Sequence, residues 1–120
     1  MAAPNLANIS TITAKTKAAH LGTTLTTALL QNLAASGKVL KVNSIIVSNI
    51  DGSNSADVSM TYYDYTDGYE IAKTISVPAD STLVLLDKNS VLYLEENTEI
   101  RGGASAASDL DVIISYEELS

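Results

Sequence analysis

The sequence predicts an all-β domain: an antiparallel β-sandwich, jelly-roll-like or immunoglobulin-like, of about eight short strands behind a short N-terminal arm. Three observations point there. Apolar residues recur with period two along most of the chain. Turn-forming clusters such as Asn49-Ile-Asp-Gly-Ser-Asn54, Thr66-Asp-Gly68 and Pro78-Ala-Asp80 interrupt that period. Their spacing of about 8–12 residues suits a sandwich or barrel. The length, 120 residues, holds one core and no second. The expected organisation is therefore an arm over residues 1–8 and one domain over residues 9–120.

Taken in order, Thr11 to Ala18 alternates small or apolar Ile12, Ala14, Thr16 and Ala18 with polar Thr11, Thr13, Lys15 and Lys17. Leu21 to Ala35 is ambiguous. Its leucines fit a helix that Gly37 could cap, yet Thr23, Thr24, Thr26 and Thr27 are restricted at χ1 and form helices poorly. A strand over Thr24 to Gln31 is the preferred reading. Lys38 to Asn49 is long and β-branched and reads as a central strand. Asp51-Gly52 then turns the chain. Ala56, Val58, Met60 and Tyr62 share one face of the next strand. Glu70 to Val77 follows, and Pro78 stops it. Thr82 to Leu86 is apolar on both faces and reads as buried. Val91 to Leu94, Thr98 to Ala104 and Leu110 to Glu118 complete the set. Period two places Val58, Met60, Ile75, Val84, Leu86, Val112 and Ile114 in the core.

Composition narrows the function. Hydrophobic residues make up 46%, enough to fold, while only 18% are charged. Ser, Thr and Asn supply the remaining polar surface. A net charge of −7 argues against general nucleic-acid binding, which relies on Lys and Arg. Without Cys there is no disulfide framework, thiolate zinc site or thiol nucleophile. No apolar run approaches the ~20 residues of a membrane span. The start, Met1 to Asn8, lacks the basic and apolar regions of a secretory signal. The expected place of synthesis is a cytoplasm, with no membrane partner and no cofactor.

The charges are segregated. Lys15, Lys17, Lys38 and Lys41 are the only charged side chains in residues 1–50, and all 14 acids lie from Asp51 onward. Either folding interleaves the halves, or the surface is bipolar and docks on copies of itself or on a larger shell. On the second reading these four lysines are candidates for meeting an acidic neighbour.

Other candidates carry competing explanations. His20 is the only imidazole and no Gly-x-Ser-x-Gly turn accompanies it, so a structural role is favoured over catalysis. Asp51, Asn54 and Asp57 offer calcium-type oxygens, but Tyr62 stands where an EF-hand needs its bidentate glutamate, and Asp and Asn are ordinary turn formers. The adjacent acids Glu95-Glu96 and Glu117-Glu118 point to opposite faces of a strand and suit a solvated rim. Tyr62, Tyr63, Tyr65 and Tyr69 cluster around one turn and serve packing, a protein interface or a glycan platform. Tyr63 and Tyr65 are the interface candidates among them. Gly102-Gly103, lacking a following Lys-Ser/Thr, marks a bulge or a close backbone contact and not a phosphate loop.

Four phrases stand out: Gly37-Lys-Val-Leu-Lys-Val-Asn-Ser-Ile-Ile-Val-Ser-Asn-Ile-Asp-Gly52, Ile71 to Leu86, Leu92-Tyr-Leu-Glu-Glu-Asn-Thr-Glu-Ile100 and the closing Ala104 to Glu118. Together they resemble small virion proteins of tailed bacteriophages. The likeness covers residues 9–118 and carries no catalytic motif, so it transfers no functional residue. It implies a non-enzymatic β-sandwich present in many copies in the virion, assembled in the host cytoplasm. The implied role is capsid decoration (cement), or a neck, tail or fibre-attachment component, with a glycan-binding receptor module as the remaining alternative. The implied partners are copies of itself and other virion proteins such as the major capsid protein.

Overall fold

The structure, a computed structural model, describes residues 4–120. It is a two-sheet antiparallel β-sandwich of nine strands. These are β1 (Ile12–His20), β2 (Ala28–Asn32), β3 (Val39–Asn49), β4 (Ala56–Tyr63), β5 (Gly68–Val77), β6 (Thr82–Leu86), β7 (Leu92–Leu94), β8 (Thr98–Ala104) and β9 (Leu110–Leu119). One sheet runs β1-β9-β3-β6, with β7 also on β3; the other runs β2-β8-β4-β5. Of the expected arm, residues 1–3 lie outside the described residues. Leu6–Asn8 forms one turn of 3-10 helix, started by the Asn5 side chain, which accepts from the Ala7 amide at 2.9 Å.

The core lies between the sheets. From one come Leu40, Val42, Ile45, Val47, Leu110, Val112 and Ile114, and from the other Leu30, Val58, Met60, Val77 and Ile100. Two buried asparagines tie the sheets together. The Asn32 Nδ2 on β2 donates to the carbonyls of Lys38 and of Leu94 on β7, both at 2.9 Å. The Asn49 Nδ2 on β3 donates to the carbonyls of Asn54 and of Val77 on β5, also at 2.9 Å. Each amide thus satisfies backbone acceptors that the sheet ladders leave over.

Four of the seven expected core residues, Val58, Met60, Val112 and Ile114, are buried. Ile75 and Val84 are not, being 39% and 56% exposed, and Leu86 is only half-buried. Both discrepancies lie on edge strands, and the second comes from a bulge. On β5 the register slips between Val58 and Met60, and Thr74 sits at φ 47. Its displaced amide donates to the Ser59 hydroxyl at 3.0 Å. Ile75 shares the inward face of its partner Val58, but among the described residues no strand lies beyond β5 to cover it. On β6 the slip between Ile45 and Ile46 pairs Leu86 with Ile45 and Val84 with Ile46. Ile46 points outward, and Val84 points outward with it. Thr82–Leu86 is accordingly an edge strand and not a buried one.

The ambiguous segment is strand, but only from Ala28. Residues 22–27 instead cross the outer face of β8. There the Ala104 amide donates to the Gly22 carbonyl at 2.8 Å, and the Gly102 amide donates to the Thr27 carbonyl at 3.0 Å. This crossing explains Gly103. A Cβ there would lie 2.9 Å from the Gly22 and Thr24 carbonyl oxygens and 3.1 Å from the Leu25 Cδ2. At Gly102 it would lie 2.8 Å from the Ser59 carbonyl oxygen. Of the two explanations for this pair, close backbone approach is the one observed.

Candidate interaction surfaces

Folding brings three of the four segregated lysines against acids of the second half. β9 lies between β1 and β3, so its terminal acids face lysines on both sides. The Glu118 carboxylate accepts from Lys15 Nζ at 3.1 Å and from Lys38 Nζ at 3.2 Å, and Glu117 lies 4.0 Å from Lys41 Nζ. Partial burial pushes the Glu118 carboxyl up, but the two lysines outweigh it and hold its pKa below the ordinary glutamate value. Lys15, Lys38 and Lys41 therefore neutralise acids of their own chain. Among the described residues Lys17, next to Lys15 on the same face of β1, makes no ion pair.

The tyrosines divide into two pairs. Tyr62 and Tyr69 are register partners across β4 and β5, with ring centroids 6.5 Å apart. Tyr63 and Tyr65 lie on the other face at 5.0 Å. The second pair belongs to a polar cluster built on Glu99, a residue only 2% exposed. Its carboxylate accepts from the Tyr65 hydroxyl, from Gln31 Nε2 at 3.1 Å and from Arg101 Nε at 2.6 Å. The Arg101 guanidinium carbon lies 3.5 Å from the Tyr63 ring centroid, a cation–π contact. Burial raises the Glu99 pKa, while Tyr65, Arg101 and Gln31 lower it further, and the net result lies below the ordinary glutamate value. The same hydrogen bond to Glu99, reinforced by burial, pushes the Tyr65 phenol up. Tyr63 alternates with the core-facing Val58, Met60 and Tyr62, so period two places it on the outward face. Nothing in the sequence marked Glu99 as the centre of a network, because two of its three partners, Gln31 and Tyr65, come from distant segments.

His20 does have an acid partner. Its Nδ1 lies 2.5 Å from the Asp111 carboxylate, the hydrogen bond and charge of which raise the imidazole pKa. The ring is otherwise solvated, with 85% of the side chain exposed. A depression of about 210 Å³ beside the pair is lined also by Ala18, Ala19, Val112 and Ile113, and its lining holds no hydroxyl or thiol to activate. Asp51 has a turn role: its Oδ1 accepts the amides of Ser53 at 2.8 Å and Asn54 at 3.2 Å, which lowers its pKa. Among the described residues no three His, Cys, Asp or Glu side chains gather as metal ligands.

The outer face of the five-stranded sheet carries a feature that strand-by-strand reading does not reveal. Ala18 pairs with Ile113, Ile113 with Ile46, and Ile46 with Val84. These residues form one apolar row across β1, β9, β3 and β6. Ile113 is 41% exposed, and Val84 more so. Polar rows flank it: His20-Asp111-Ser48-Thr82 on one side and Thr16-Ser115-Ser44 on the other. The sequence matches no family model and no curated protein.

Proposed function

We propose that this chain is a non-enzymatic structural protein of a tailed-bacteriophage virion, a capsid decoration (cement) protein that bridges and stabilises neighbouring subunits. The observation that carries the reading is the apolar row Ala18-Ile113-Ile46-Val84, framed by polar rows. A ridge of aliphatic side chains on an otherwise polar face is the anatomy of a surface that another chain covers. The resemblance of several phrases to small virion proteins supports a virion neighbour, taken in this proposal to be a shell subunit. Electrostatics take a smaller part than the charge split suggests, since Lys15, Lys38 and Lys41 are answered within the chain. A neck or tail component would use the same face. A glycan module is disfavoured because Arg101 covers the Tyr63 ring that a sugar would stack on.

Quantitative mass spectrometry of purified particles tests the proposal. A fixed ratio to the major capsid protein is the expected result, and a few copies per particle would move the chain to the neck or tail. Ile113→Glu places a charge in the row without touching the core and should release the protein from particles. Absence from particles, or unchanged attachment of the Ile113→Glu variant, would refute it.

A further inference from the structure

β1 stands apart from the other sheet edges. Native sandwiches blunt their edges with bulges, short strands or charge, because an open edge is a template for another strand. Here β5 is broken by two register slips and by Thr74 at φ 47. β6 and β2 are five residues each, and each carries a slip. β1 has nine residues in unbroken register with β9. It is also exposed on both faces along its length, with only Ala19 half-buried. Its single guard is the pair Lys15 and Lys17 on one face.

That guard selects as well as protects. In a two-fold pairing of β1 with its own copy, full overlap sets Lys15 opposite Lys17 of the other chain. Shifting the centre to Lys15 or to Lys17 sets that lysine opposite itself. Like charges directly opposite destabilise a ladder. A strand with acids on one face meets the opposite situation: one acid answers Lys17, which has no ion pair among the described residues. The other face of β1 carries Ala14, Thr16 and Ala18, and Ala18 begins the apolar row. We infer that the edge of β1 away from β9, unpaired among the described residues, receives an extended segment of another protein, with acidic side chains alternating toward Lys15 and Lys17 and aliphatic ones toward Ala14 and Ala18. Main-chain hydrogen bonds supply the affinity and Lys17, the lysine not answered by Glu118, most of the selectivity. The added strand would extend the five-stranded sheet and prolong the apolar row beyond Ala18. The inference rests on the reading of the chain as an assembly subunit and names the surface and the chemistry of its neighbour.

The test uses the full chain, isotope-labelled, and a capped nine-residue peptide alternating valine with glutamate. One control peptide alternates valine with lysine; another carries N-methyl groups that abolish strand pairing. Hydrogen exchange read by NMR should slow at those β1 amides that point away from β9, and only with the unmodified glutamate peptide. Lys17→Glu should weaken that peptide about fivefold, as one cross-strand attraction becomes a repulsion, and should improve binding of the lysine peptide. Lys17→Gln, intermediate in effect, serves if the reversal disturbs the fold. No protection by the glutamate peptide, equal protection by the lysine peptide, or protection at β2, β5 or β6 in place of β1 overturns the inference. So does concentration-dependent protection of β1 without peptide, which makes the occupant a second copy. Binding that persists for a protein absent from particles overturns the virion reading and leaves the β1 assignment intact.

Discussion

Gly103→Ala should destabilise the domain, and Gly22→Ala, a few ångströms away, should not. A methyl at position 103 meets two backbone oxygens at 2.9 Å and the Leu25 Cδ2 at 3.1 Å. Neither oxygen can swing aside as a side-chain tip would. Gly22 is held by the hydrogen bond from the Ala104 amide, and the chain after it returns to β8 at Thr27. Relief requires lifting residues 22–27 from the sheet or bending β8, and such overpacking costs about 1–3 kcal/mol. At roughly 2.1 cal/mol/K of unfolding entropy per residue, over 120 residues, that lowers Tm by about 4–12 °C. At Gly22 a methyl meets nothing within 4 Å. There the restriction of the unfolded chain leaves Gly22→Ala neutral or about 0.4–1 kcal/mol more stable. Thermal and urea melts followed by circular dichroism, with m-values compared, decide the matter. If Gly103→Ala melts with the parent, or Gly22→Ala falls as far, the close crossing of residues 22–27 over β8 is wrong.

Val112→Asp puts an unpaired carboxylate into a core site 1% exposed, at a cost of several kcal/mol; loss of the strand signal in far-UV circular dichroism is the expected result. Glu99→Gln removes the charge that organises Gln31, Tyr65 and Arg101, and should lower stability by about 2–4 kcal/mol in urea. It should also return the Tyr65 phenol toward its ordinary pKa, read by ultraviolet titration. Glu99 and Glu118 both have folded pKa values below their unfolded ones, so the folded chain binds fewer protons. The stability they contribute is complete above the ordinary value of about 4.5 and is lost as pH falls through the folded values; urea midpoints measured against pH should decline in that window. His20 shows the reverse sign: its pKa is raised above 6.5, so its pairing with Asp111 is present below that value and lost as pH rises through the folded pKa. NMR titration of His20 should show the elevation, and Asp111→Asn should abolish it.

Strand identity was legible because period two and turn chemistry are local. Ala56 to Tyr63 and Leu110 to Ile114 behave as their alternation demands. Prediction failed at Ile75, because the place of β5 at a sheet edge is not written in its own residues, and at Val84, because a bulge shifts parity by one residue and depends on the partner strand's register. It failed again at Thr24 to Thr27, where a β-branched run is diverted over β8 because Gly103 leaves room for backbone and nothing else. The charge split was visible, but its resolution was not. That depended on β9 inserting between β1 and β3, a pairing between segments about a hundred residues apart. The network on Glu99 and the apolar row are likewise products of register: four strands must align before Ala18, Ile113, Ile46 and Val84 become neighbours.

The position of β9 has a consequence for how the chain acquires its structure during synthesis. β1 can pair with nothing in its own sheet except β9, and β3 meets β9 along nearly its whole length. The strand at the middle of the five-stranded sheet is thus the last in chain order. While it remains inside the ribosome, the opposing sheet has no complete lid, and Ile45, Val47 and Met60 stay wet. The loops to be closed are long, which places folding among the slow, non-local β topologies that take milliseconds to seconds. Until β9 emerges, β1 is a bare ribbon with two open sides. In that interval the adjacent lysines, Lys15 and Lys17, repel other nascent copies.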